Sequence, residues 1–153
     1  MSVYDQLKSL QISLPPAGSP AAAYVMHAQA GDQVYLSGHI AKKGGKPWVG
    51  QLGRDIAVEE GQQAARAVAI DLLSTLQDAC GGDLNRVARI VKVVSLVNST
   101  SDFTQQHLVT NGASELLVQV FGDAGRHARS AFGVAQLPMG SCVEIELIAQ
   151  LKS

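Results

Sequence analysis

Between Val143 and Leu151 the chain alternates with a period of two. Val143, Ile145, Leu147, Ala149 and Leu151 fall on one face of a strand, and Cys142, Glu144, Glu146, Ile148 and Gln150 on the other. The first set suits a core roofed by helices. The second is partly polar and needs water, a ligand or a second subunit. A sheet covered on one side only, in a chain that is 46% hydrophobic, predicts association through the bare side.

The rest of the chain supplies what such a sheet needs. Val3, Leu7 and Leu10 predict a short opening helix, stopped by Leu14-Pro15-Pro16. Tyr24–Gln29 and Gln33–Ser37, joined at Gly31-Asp32, predict a hairpin. Ala57, Gly61, Ala64, Val68, Leu72, Leu76 and Ala79 form one helical stripe, with Asp55 as the expected cap and Gly81-Gly82 as the stop. Val87–Asn98 is rich in Val and Ile on both faces, as in a central strand. Asp102 is placed to cap a second helix carrying Phe103, Val109, Ala113, Leu116, Leu117 and Val120, ending at Gly122. Strands at about 128–136 and 142–151 flank the turn Leu137-Pro138-Met139-Gly140. The order is β-β-α-β-α-β-β in one α+β domain over residues 1–153, with 1–20 as an N-terminal extension and two helices on one face of a mixed sheet.

Composition narrows the function classes. A net charge of −1, with Lys42, Lys43 and Lys46 confined to a Gly-containing loop, gives no basic stripe for nucleic acid. Cys80 and Cys142 form no Cys-x-x-Cys pair and are expected as reduced core thiols. Residues 1–8 lack the apolar run of a signal peptide, and no segment is long and apolar enough to span a membrane, so a soluble cytoplasmic protein is expected. His27, His39, His107 and His127 have no ligand-like spacing, so no metal is expected. Gly44-Gly45-Lys46 lacks the rest of a phosphate loop, and no Gly-x-Ser-x-Gly elbow marks a serine nucleophile.

The residues that could carry chemistry cluster late. If Pro138-Met139 makes a two-residue turn, position 129 lies opposite 148, and Arg129 shares a face with Glu144 and Glu146. Glu144 is then about 13 Å further along, so a cleft holding both groups needs a bulge, a different turn or a second subunit. An arginine there can grip a carboxylate with two parallel hydrogen bonds, and a glutamate can deprotonate a water. Spacing alone favours an ordinary surface ion pair.

Tyr24, Ser37-Gly38-His39, Ala128-Arg129-Ser130, Leu137-Pro138 and Glu144-Ile145-Glu146 stand in the order and spacing of the YjgF/RidA family, which the chain resembles from about Pro16 to Leu151. The resemblance implies a chorismate mutase-like fold, a homotrimer with clefts between subunits, and hydrolysis of imines and enamines without metal or organic cofactor. Carried over by position, Arg129 would bind the substrate carboxylate with Ser130 beside it. Glu144 would position the water, Tyr24 and Ser37 would line the cleft from the partner chain, and Asn111 would contact ligand. His39, Ala131 and Met139 depart from the family pattern, in which glutamine, cysteine and a basic residue are usual, and the 98–125 region is enlarged. The alternatives are a trimeric binding protein for a carboxylate metabolite, without turnover, and the endoribonuclease activity attached to the family name.

Overall fold

The computed structural model describes residues 1–153. Helix α1 (Val3–Ser9) opens with a capping box in which Ser2 and Asp5 exchange side-chain-to-backbone bonds, and it inserts Leu7 into the core. The strands β1 (His27–Ala30) and β2 (Gln33–Ile40) form the expected antiparallel hairpin. Tyr24 lies outside it, in the bend that precedes β1. The lysine-rich loop is a small separate hairpin, β3 (Lys42–Lys43) with β4 (Lys46–Pro47).

Helix α2 (Val58–Ala79) buries the predicted stripe from Gly61 to Leu76. The expected cap is not made. Ala57 holds the N-cap position, and the Asp55 carboxylate instead accepts from the Gln51 backbone N–H at 2.6 Å, closing the loop before the helix. The same happens at α3 (Gln106–Phe121): Asp102 accepts from Thr100 Oγ1 at 2.7 Å, and the helix starts three residues beyond Phe103. In both places a carboxylate with two possible local partners takes the turn rather than the helix end.

Strands β5 (Val87–Asn98), β6 (Ala128–Val134) and β7 (Val143–Leu151) complete a five-stranded mixed sheet in the order β1-β2-β7-β5-β6. This corrects the late hairpin predicted from Pro138-Met139. β6 and β7 are not neighbours: β6 is the edge strand, parallel to β5, and β7 lies antiparallel between β2 and β5. The connection is a 3₁₀ turn over Pro138–Gly140, with Met139 at φ 58°, after which Cys142 N–H donates to Trp48 O at 2.9 Å. Those contacts carry the chain across to the middle of the sheet. The apolar β5 thereby gains hydrogen-bonded neighbours on both edges.

One core of 30 buried residues lies between the sheet and α2/α3. The face assignment of β7 holds, with Val143, Ile145, Leu147, Ala149 and Leu151 all buried, but Cys142 is fully buried and belongs with the core. Both cysteines are free and buried, and the Cys142 thiol is pushed up to about 11, chiefly by burial. The opposite sheet face carries Tyr35 and Phe132, each nearly half exposed, beside Ile148, Val94 and Leu96. No helix covers it. No helix of the chain is long and apolar enough to cross a membrane.

Candidate functional site

The sheet order divides the predicted site residues into two groups. Arg129 pairs with Val93, which pairs in turn with Leu147, so its side chain leaves the sheet on the helix-covered face. There Nη1 donates to Asn111 Oδ1 at 2.9 Å and to Ser114 Oγ at 3.3 Å, while Nη2 donates to the His107 carbonyl at 3.1 Å. Three of the five guanidinium N–H groups are thus spent on α3. The remaining two, Nε–H and one Nη2–H, belong to one edge of the guanidinium, and such an edge grips a carboxylate in bidentate fashion. Asn111, a ligand contact by resemblance, here accepts from the arginine and orients its guanidinium. Ser130 does not join them. It pairs with Val94, opposite Glu146, and so faces the uncovered side of the sheet.

Glu144 belongs to the second group. It pairs with Ile40 and Leu96 and is separated from Arg129 by two strand spacings and three residues, roughly 14 Å between Cα atoms. It also points to the other face. The shared face expected for Arg129, Glu144 and Glu146 is therefore overturned, because β5 intervenes and reverses the relation. Glu144 lines a cavity of about 460 Å³ with Tyr24, Gly38, His39, Lys42 and Asp71, walled on one side by Pro15, Pro16 and Ser19 of the N-terminal arm. Burial, and then the neighbouring Glu146, hold the Glu144 carboxyl above the ordinary carboxylate range; burial does the same for Asp71.

The Ser37-Gly38 pair has a structural reason here. β2 bulges against β7 between Leu36 and His39. Ser37 Oγ donates to the Val25 carbonyl at 2.6 Å and its N–H to Met26, which pins the segment bearing Tyr24 beside the bulge. A Cβ on Gly38 would come within 2.5 Å of Glu144 Oε2, so the missing side chain is what seats the carboxylate. Because the obstructing atom ends a flexible side chain, Gly38→Ala should cost no more than about 1 kcal/mol in stability yet displace Glu144. Thermal melts near wild type, together with a displaced Glu144 side chain in a structure of the variant, are expected; an unmoved carboxylate would show that Gly38 does not seat it.

His39, which spacing left unassigned, is fixed at both nitrogens. Its Nδ1–H donates to the Ser37 carbonyl at 2.6 Å, so Nε2 accepts from Thr75 Oγ1 at 2.7 Å. Burial, the largest influence, pulls its pKa below the ordinary imidazole value. The folded state thus refuses a proton that the unfolded chain accepts. Stability from the neutral ring is complete above roughly pH 6.5 and is lost as pH falls through the lowered folded value. Melts of His39→Gln should accordingly show a shallower acid limb below roughly pH 6.5 than wild type. An acid limb of unchanged slope would show that His39 is not the group responsible.

Against known proteins, a family model described as "YjgF/chorismate_mutase-like, putative endoribonuclease" matches residues 5–151. Protein TCP17 of Trypanosoma cruzi is 48% identical over 153 residues, 99% of this chain and 95% of the relative. The 2-iminobutanoate/2-iminopropanoate deaminase of Mus musculus is 33% identical over 138 residues, 90% of this chain and 88% of its own. A crystal structure from Shewanella oneidensis, carrying the same endoribonuclease description, superposes with a TM-score of 0.94 at 30% identity, covering 99% of this chain and 100% of that one. The fold is the YjgF-like α+β fold. The chain belongs to the YjgF/RidA family.

Proposed function

We propose that this protein hydrolyses 2-imino and enamine acids to 2-oxo acids and ammonia in clefts between the subunits of a homotrimer. The observation that carries the reading is the division of the site. One chain presents a guanidinium with a free carboxylate-gripping edge at β6, and, on the other face and across β5 and β7, a cavity holding Glu144 and Tyr24. Neither half is a complete imine hydrolase. The uncovered sheet face with Tyr35, Phe132, Ile148, Val94 and Leu96 gives a second copy a surface to bury. In the proposed trimer the Arg129 edge of one subunit completes the Glu144 cavity of the next.

In such a cleft Arg129 fixes the substrate's carboxylate and so fixes the position of the C=N carbon. Glu144 accepts a proton from water as its oxygen bonds to that carbon, and the C=N π electrons move to nitrogen. The proton then passes to the amine. The C–N bond breaks as the carbinol O–H proton returns to Glu144, ammonia leaves, and the 2-oxo acid remains. An iminium carbon is electrophilic enough that no covalent nucleophile is needed for this step. The raised Glu144 carboxyl is better matched to taking a proton near neutrality than an ordinary carboxylate. The names of the deaminase relatives support this chemistry. RNA is the poorer substrate, since the cavity sets Glu144 and Asp71 against the single cation Lys42, with no basic stripe beyond it in a chain of net charge −1.

To test it, 2-iminobutanoate is generated in situ by an amino-acid oxidase and its decay followed. Wild type is expected to accelerate the decay and Arg129→Ala is not. Equal decay with wild type and buffer contradicts the hydrolase reading, and ligand protection in a thermal shift without turnover identifies a binding protein instead.

A further inference from the structure

Behind Arg129 lies a side-chain array that no motif announced. Ser114 Oγ is 2.9 Å from His127 Nε2, and His127 Nδ1 is 2.6 Å from the Gly125 carbonyl oxygen. A carbonyl only accepts, so Nδ1 carries the imidazole proton and Nε2 presents a lone pair. Ser114 must then donate its hydroxyl proton to Nε2. Its oxygen in turn receives Arg129 Nη1 at 3.3 Å. These are the relations of an activated nucleophile: hydroxyl, base, and a third group that orients the base.

The local context sets Ser114 apart from the other helical hydroxyls. Thr110 of the same helix and Ser74 of α2 return their hydroxyls to the carbonyl four residues back. Ser114 makes no such bond and is turned to His127 and Arg129. Burial, with Arg129 adding to it and the Gly125 bond opposing, keeps the His127 pKa below the ordinary imidazole value, so the ring is a neutral base at physiological pH. Both side chains are only half buried.

We propose that Ser114, with His127 as its base, is a nucleophile toward acyl groups that carry a carboxylate, the carboxylate being held by the free edge of Arg129. The fitting substrate class is the half-ester of a short dicarboxylic acid. As Ser114 Oγ bonds to the acyl carbon, its proton moves to His127 Nε2. The ester C–O bond then breaks, with the proton returned from Nε2 to the departing alcohol or phenol. A water activated by His127 subsequently cleaves the acyl-serine, releasing the diacid and regenerating Ser114. The guanidinium 3.3 Å from Oγ steadies that oxygen as its proton leaves, while the C=O π pair moves to the carbonyl oxygen and returns when the ester C–O bond breaks. This activity rests on Arg129 binding a carboxylate and is independent of imine hydrolysis.

The full-length protein is treated with the mono-p-nitrophenyl ester of succinic acid and, separately, with p-nitrophenyl acetate; p-nitrophenolate release and the acylated peptide are followed. With the half-ester, acylation at Ser114 or steady release is expected, absent in Ser114→Ala and slowed about a hundredfold in His127→Gln. Ser114→Ala and His127→Gln should both melt cooperatively, which keeps loss of reactivity distinct from loss of fold. Acetate should acylate Ser114 more slowly, and Arg129→Lys should lower the rate with the half-ester by a much larger factor than the rate with acetate, so that the half-ester loses its advantage. No release above buffer from either ester, or reactivity that survives in Ser114→Ala, overturns the proposal. Reactivity at Ser114 with no preference for the half-ester overturns the substrate class and counts against Arg129 as the carboxylate ligand.

Discussion

Arg129→Ala is expected to lower kcat/KM for 2-iminobutanoate by roughly 10²- to 10⁴-fold while leaving the fold intact. Each charge-assisted hydrogen bond is worth about 1.5–3 kcal/mol, and the free guanidinium edge offers two to a carboxylate. At 1.36 kcal/mol per factor of ten, their loss falls in that range. The groups that Arg129 leaves behind, Asn111 Oδ1, Ser114 Oγ and the His107 carbonyl, are only partly buried or exposed, so water can replace the lost donors. The stability cost should therefore stay below about 1 kcal/mol. Arg129→Lys retains the charge but not the fork, and should recover only part of the loss. If Arg129 serves binding alone, the defect appears in KM; Glu144→Gln, which removes the water's base, should lower kcat with KM little changed. Steady-state kinetics of the two variants separates the roles. Near-wild-type kcat/KM in Arg129→Ala would remove the carboxylate site from β6.

The second large effect is structural. Gly112→Ala is expected to destabilise the protein by roughly 3 kcal/mol or more. Gly112 lies where α3 crosses α2: a Cβ there would sit 2.7 Å from the Gln62 carbonyl carbon and closer still to its oxygen. Alanine favours a helix over glycine by only about 1 kcal/mol, so the clash wins. Because the obstruction is backbone rather than a side chain, it is relieved only by moving the two helices apart. That would also strain the bond from Gln62 Nε2 to the Leu108 carbonyl and shift Asn111, next in sequence, off Arg129. A fall in melting temperature of roughly 6–12 °C is expected. A melting temperature within a degree of wild type would show that the helices have room to separate at this crossing.

These two residues also mark what sequence could and could not reveal. The stripe of α2, the Val/Ile run of β5 and the alternation of β7 were legible because each is a local record of which faces are buried. The position of β7 was not. Pro138-Met139-Gly140 reads locally as a tight turn between neighbours, whereas strand order is decided by β5, whose backbone groups must be paired on both edges. That single reversal moved Arg129 to the face opposite Glu144. The helix caps failed for a smaller reason of the same kind, Asp55 and Asp102 each having a nearer turn partner. Arg129, Glu144, Tyr24 and Asn111 were singled out by resemblance. Ser114 and His127 were not, since they stand 13 residues apart on different elements and meet only when α3 folds back on the edge of β6. His39 carried a signal only as a departure from the family pattern.

Each site is proposed to take Arg129 from one subunit and Glu144 from its neighbour. Arg129→Ala and Glu144→Gln proteins, each inactive alone, are mixed in equal amounts, unfolded, refolded together and assayed for 2-iminobutanoate hydrolysis. A site between subunits is intact whenever its arginine comes from one variant and its glutamate from the other, so random assembly should restore about a quarter of wild-type activity. A refolded mixture as inactive as its two components would contradict a shared site.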